Sequence, residues 1–221
     1  MGFWSVFWER LPYFLPILLG AAVMTVQVTL GALALALVLG MVVALLRISP
    51  LKPVRALALA YIEIMRGTPA LVQLFIIYFG LPDLGIELKP VPAAIIGLGM
   101  NGAAYVAEIY RAGIQAIHRG QMEASLSLGM TPASAMRYIV LPQAVGVVLP
   151  PLGAYALNLI KETTLASVVA APEIMFEARK LVTETYLSTQ IYLIVGAIYL
   201  CLSLPLARVV ARLERARSAW R

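Results

Sequence analysis

Lys161 and Glu162 stand side by side in a stretch that is otherwise long and apolar, from about Ala144 to Ala170. A charge at membrane depth costs ~2.5–3.5 kcal/mol on insertion scales unless it is paired or wetted. Successive helix residues do not face each other, so these two are not expected to neutralise one another. Asn158 shares a face with Glu162 at i, i+4, and Lys161 lies nearer Thr164 at i+3. The expectation is that one charge finds a protein partner and the other looks into a hydrated cavity. The structural alternative is an ion pair with Arg66 or Glu108. Asn101 and Tyr105, also at i, i+4 among apolar neighbours, are either interhelical glue or part of a binding site. Thr68-Pro69 frees a backbone carbonyl one turn back, which can bind a ligand or a neighbour. Glu63 and Arg66, at i, i+3, read as an ion pair at a helix end. His118 has no acidic or cysteine partner at metal spacing and reads as a solvated loop residue. No catalytic dyad or triad and no metal set emerges.

The elements that must carry these residues are membrane spans. The chain has 221 residues, 62% hydrophobic and 13% charged, with a mean hydropathy of +0.90. Apolar runs of ~20 residues match a ~30 Å hydrocarbon core, whereas a barrel would show alternating ~10-residue segments. Five spans are expected, at about Tyr13–Leu46, Leu57–Phe79, Val91–Ile114, Ala144–Ala170 (broken early by Pro150-Pro151) and Ile191–Val210. Together they form one all-α transmembrane domain over residues 1–221. "MGFWSVFWERLPYFLP" lacks a basic n-region and a cleavage site and suits a short helix in the headgroup layer. The small side of the third span, Gly97, Gly99, Gly102, Ala103 and Ala107, suits close helix packing or a cavity wall. Cys201 lies in an apolar run and reads as a small hydrophobe.

Charge placement orients the spans. Arg47, Lys52 and Arg55 follow the first span, Arg111, Arg119 and Arg137 the third, and Arg208, Arg212, Arg215, Arg217 and Arg221 the fifth. The opposite ends carry Arg10, Asp83, Glu87, Lys89, Glu173, Glu177, Arg179, Lys180 and Glu184. The basic side is expected in the cytoplasm, with the N-terminus outside and the C-terminus inside. The net charge of +6 therefore marks membrane orientation, and no basic groove with interleaved aromatics points to nucleic acid.

One cytoplasmic loop, about 119–142, is too polar to span. Gln121–Leu128 favours helix, Gly129 suits a left-handed cap, and Thr131-Pro132 reads as an N-cap followed by a first-turn proline. A second helix then runs to about Val140, and Leu141-Pro142 opens the next span. Met122, Leu126, Leu128 and Met130 make an apolar face that suggests a docking surface.

The spacing Glu123-Ala124, Gly129, Ile139, Leu141-Pro142 resembles the EAA loop of ABC importer permeases, with Ser125 for the second alanine of the pattern. "RGTPALVQLFIIYFGLP" (66–82), "NGAAYVAEIYRAGIQAIHRGQ" (101–121) and "LPPLGAYALNLIKETTLASVV" (149–169) resemble the polar amino-acid branch of that family, nearest the glutamine, histidine and arginine permeases. There the last stretch usually reads Lys-Asp-Thr-Ser-Leu, and here it is Lys161-Glu162-Thr163-Thr164-Leu165.

The resemblance implies a type I ABC importer permease fold in a bacterial inner membrane. It also implies a second permease subunit, identical or homologous, and an extracytoplasmic amino-acid-binding protein. Two ATP-binding subunits would dock on Glu123, Ala124, Gly129, Met130, Thr131, Ile139, Leu141 and Pro142. No nucleotide-binding loop of the Gly-x-x-x-x-Gly-Lys-Ser/Thr type occurs here, so ATP and magnesium belong to that partner, and the chain itself needs no cofactor. With an amino-acid substrate, Glu162 becomes the expected counter-ion for its ammonium group. Lys161, Asn158, Asn101, Tyr105 and Thr68 complete the candidate pocket. The alternative, a secondary transporter or small channel, would favour inverted repeats. None is evident, and five spans do not divide into equal halves.

Overall fold

The computed structural model describes residues 3–218. Its first helix, α1 (Phe3–Arg47), has 45 residues, about 67 Å at 1.5 Å per residue. No separate interfacial helix precedes the first span. The aromatic N-terminal turns continue directly into it, and Pro12 and Pro16 lie inside α1 without ending it.

The second span differs most from the sequence expectation. α2 (Lys52–Gly67) stops, and α3 (Ala70–Phe75) resumes at 103° to it, running on through a π-helical turn (Ile76–Gly80) and a 3₁₀ turn (Leu81–Leu84). Pro69 explains the break. It offers no N–H to the preceding turn, and it pushes Thr68 into an extended conformation, φ −118° and ψ 147°, the region favoured before proline.

α4 (Pro90–Gln115) packs along α1 through glycines. A Cβ on Gly99 would lie 2.7 Å from Leu35 Cδ2, one on Gly31 2.8 Å from Ile95 Cδ1, and one on Gly40 2.7 Å from Val106 Cγ1. Gly97 likewise accommodates Leu74 of α3. Glycine here removes the side chain that would hold two backbones apart, so the small side of the third span is a packing surface.

The loop follows with α5 (Arg119–Ser127) and α6 (Pro132–Ala135). From α6 the helix continues through a π-helical turn (Met136–Val140) into α7 (Leu141–Glu162) and a 3₁₀ turn (Thr163–Val169). The break expected at Pro150-Pro151 is absent, and both prolines sit inside α7. Proline within a span is tolerated where neighbours and local adjustment serve the freed backbone groups.

α8 (Ile174–Thr185) occupies the charged stretch between the fourth and fifth spans. Its N-cap is Glu173, fully buried. One Glu173 oxygen accepts from the Phe176 N–H at 2.8 Å, and the other from the Tyr199 hydroxyl at 3.1 Å. The Ile174 N–H donates to Thr25 Oγ1 of α1 at 3.2 Å. α9 (Ser188–Ser218) closes the structure, and Arg221 of the basic tail lies outside the described residues. Among the described residues there is no strand. Four helical stretches are long and apolar enough to cross a bilayer, and the bent α2–α3 pair makes a fifth. One apolar core joins α1, α3, α4 and α7 around Val28, Leu74, Leu98 and Leu159. A second joins α1, α8 and α9 around Phe14, Leu18, Ile174 and Ile191.

Candidate functional site

A cleft of about 760 Å³ opens between α4 and α7. Its polar lining is unusual for so apolar a chain: Arg66 from the end of α2, Tyr105, Glu108 and Arg111 from α4, and Tyr155 and Asn158 from α7. Helical spacing brings Tyr105 and Glu108 to one wall, three residues apart. The Arg66 guanidinium lies 5.3 Å from the centre of the Tyr105 ring, a cation–π contact of about 0.5–1 kcal/mol at an exposed site. Tyr105 in turn stacks on Tyr155, with centroids 6.5 Å apart and planes 18° apart. Arg111 donates to Glu108 Oε2 at 2.6 Å from Nη2 and 3.0 Å from Nε. Thus Glu108 and Arg111 satisfy each other, and Arg66 is the cation whose neighbour is a ring.

This overturns the expected Glu63–Arg66 pair: Arg66 turns to Tyr105, and among the described residues Glu63 makes no ion pair. Lys161 and Glu162 end α7, and both are exposed. Among the described residues neither enters an ion pair. The cleft lining ends at Asn158, and Glu162 follows one turn later on the same face.

Asn101 and Thr68 lie together, but at the bend of the second span. Asn101 Nδ2 donates to the Met65 carbonyl at 2.8 Å and to Gln73 Oε1 at 3.1 Å. Gln73 Nε2 donates to Met65 O at 2.9 Å, Thr68 O at 3.2 Å and Thr68 Oγ1 at 2.8 Å. The carbonyls freed by Pro69 are thus served by two side chains from α3 and α4. Gln73 escapes a sequence reading because its partners exist only once the span has bent. Tyr155 escapes as one more aromatic in an apolar run. Its hydroxyl is buried without a hydrogen-bond partner among the described residues, and it seats where Gly102 carries no side chain.

The loop forms a second site. His118 caps α5, its Nδ1 accepting from the Gly120 N–H at 3.1 Å. Gly129 takes φ +82°, and the Met130 N–H donates back to Ser125 O at 3.1 Å. Thr131 Oγ1 accepts from the Ser134 N–H at 3.2 Å. Those closures hold the turn rigid with Leu128 84% and Leu126 42% exposed. Glu123, Ala124 and Thr131 are exposed beside them, Met130 and Ile139 are half-buried, and Leu141 and Pro142 are exposed where α7 begins.

Residues 36–219 match the family described as binding-protein-dependent transport system inner membrane component. The chain belongs to that family. It is therefore the membrane-spanning permease component of a binding-protein-dependent ABC transport system. It is 41% identical over 191 residues to a probable glutamine ABC transporter permease of Bacillus subtilis, covering 86% of this chain and 88% of that one. It is 35% identical over 216 residues to the glutamine transport system permease of Escherichia coli, covering 96% of each. A crystal structure of an amino acid ABC transporter with histidines superposes with a TM-score of 0.90 at 38% identity, over 95% of this chain and 98% of the other. The chain thus carries two distinct features, a polar-lined cleft between α4 and α7 and a loop that exposes Leu126 and Leu128.

Proposed function

We propose that this permease imports polar amino acids and that the α4–α7 cleft, extended along α7 to Glu162, holds them. The carrying observation is the pairing pattern of the charges. Glu108 and Arg111 are mutually satisfied, leaving Arg66 to meet a carboxylate and Glu162 to meet an ammonium. Every free amino acid presents both groups, and charge-assisted hydrogen bonds to each are the strong ones. Asn158 and Tyr105 lie between them as neutral partners, with Lys161 beside Glu162. Asn101 and Thr68 act through the bend, which sets where Arg66 stands. The relatives named for glutamine and amino-acid transport support this substrate class.

The loop at 119–142 is the docking surface for a separate ATP-binding subunit, which carries ATP and magnesium. An extracytoplasmic binding protein delivers the substrate, and a second permease subunit completes the pathway. The arginine asymmetry supports an outside N-terminus and a cytoplasmic C-terminus.

The test is uptake of labelled amino acids into vesicles holding the assembled importer, with the binding protein present. Removing one charged partner costs about 1.5–3 kcal/mol, roughly 10- to 150-fold in substrate-dependent transport. Glu162→Gln and Arg66→Gln are each expected to lose that much while assembly stays at the parent level. Equal loss of assembly and transport would return both residues to a structural role.

A further inference from the structure

We infer that the flank between α1 and α9 is a binding site for one phospholipid, with an acyl chain lying in an apolar groove and the headgroup at Arg10. The groove has a volume of about 580 Å³ and is lined only by apolar side chains, among them Trp4, Phe7, Leu11 and Leu15 of α1 and Ile198 and Cys201 of α9. It shares no lining residue with the polar cleft.

Three observations choose the occupant. The first is length. The α1 wall starts at Trp4, and its part beyond the aromatic turn, from Leu11 to Ala22, rises about 16 Å at 1.5 Å per residue, close to the ~15 Å of one leaflet of a ~30 Å hydrocarbon core. The second is the end of the groove. Trp4, Phe7 and Trp8 form an edge-to-face cluster, with centroids at 5.9 and 5.1 Å. Both tryptophans are more than 60% exposed, as suits rings at headgroup level. The third is charge. Arg10 is exposed and, three positions from the lining residue Phe7, lies on the neighbouring side of the helix beside that cluster. Glu9, two positions from Leu11, falls on the far side of the helix. A cation and aromatic rings above one leaflet's length of purely apolar wall complement an anionic phosphate and its acyl chain. A second copy of the chain would need no such ordering.

The full chain, purified from phosphatidylglycerol-containing membranes, is examined by native mass spectrometry beside two variants. Ala197→Phe fills the groove from an exposed position on its wall. Leu200→Phe alters another exposed residue of α9, outside the groove lining. One retained phospholipid per chain is expected for the parent and Leu200→Phe, with at least a tenfold loss in Ala197→Phe. Equal retention in all three, or none in the parent, overturns the site. Arg10→Gln is expected to abolish a preference for phosphatidylglycerol over phosphatidylcholine, and an unchanged preference refutes the headgroup assignment. Cys201 is the chain's one cysteine. Efficient bis-maleimide cross-linking of two chains through it in intact membranes would show that a second copy covers the groove, and would overturn the lipid.

Discussion

Replacing Gln73 by methionine keeps the volume of a buried side chain and removes the amide that spans the bend. Its two N–H groups are shared among three oxygens, and its carbonyl accepts from Asn101. Not all of this is lost without substitute. The Met65 carbonyl keeps its Asn101 donor at 2.8 Å, and Thr68 Oγ1 still donates to the Ile64 carbonyl at 2.8 Å. The Thr68 carbonyl is left bare, and Asn101 loses one acceptor. An unmet buried polar group costs about 1–3 kcal/mol, while interhelical hydrogen bonds in membranes average only ~0.6 and reach ~1.7 kcal/mol. A net loss of about 1–3 kcal/mol follows. At roughly 2–4 °C per kcal/mol for a chain of this size, the midpoint of heat-induced loss of the monodisperse species in detergent should fall by about 2–12 °C. Asn101→Leu should fall comparably, and the double variant by less than the sum, with a coupling of about 0.6–1.7 kcal/mol. Because Arg66 is the residue after Met65, transport should drop even where assembly is retained. An unchanged midpoint in Gln73→Met, or strict additivity with Asn101→Leu, would refute the view that this network holds the bend.

Gly102→Ala places a methyl where the Tyr155 hydroxyl sits and should cost about 1–3 kcal/mol by overpacking; Gly20→Ala, with nothing within 4 Å of the added atom, is the neutral comparison in the same heat-stability assay. Gly129→Asp, at φ +82°, should cost on the order of 1 kcal/mol locally, leaving membrane insertion and substrate binding intact while reducing substrate-stimulated ATP hydrolysis in the assembled importer; truncating Glu123 should do the same, and parent-like hydrolysis in both would remove the loop from coupling. In a Cys201→Ser background, single cysteines at Asp83 and Ser134 should react with impermeant maleimide from opposite sides of the membrane, and same-side labelling would invert the orientation.

What was legible in the sequence divides by the distance between cooperating residues. The loop's turns are written in neighbours: His118 caps α5, Gly129 turns the chain, Thr131-Pro132 restarts it, and each of these closures joins residues only a few positions apart. The helical character of the spans is equally local, because bilayer thickness imposes it on any long apolar run. The bend at Pro69 was only half legible. Proline announces a freed carbonyl, but the 103° angle requires Gln73 and Asn101, and Asn101 lies 36 positions from the carbonyl it serves. Pro150-Pro151 misled for the complementary reason: the same residue type leaves α7 continuous, so proline alone does not decide between a break and a tolerated insertion. Asn101 and Tyr105 make the same point about the site. Their i, i+4 spacing promised a common face, yet Asn101 turns to the bend, and Tyr105, with an exposed ring, lies under Arg66 in the cleft. Through Met65 and Arg66 the two ends of that short stretch are mechanically joined. Arg66 follows Met65 directly, so the Asn101 bond to the Met65 carbonyl and the Arg66 contact with the Tyr105 ring act on adjacent residues at the end of α2.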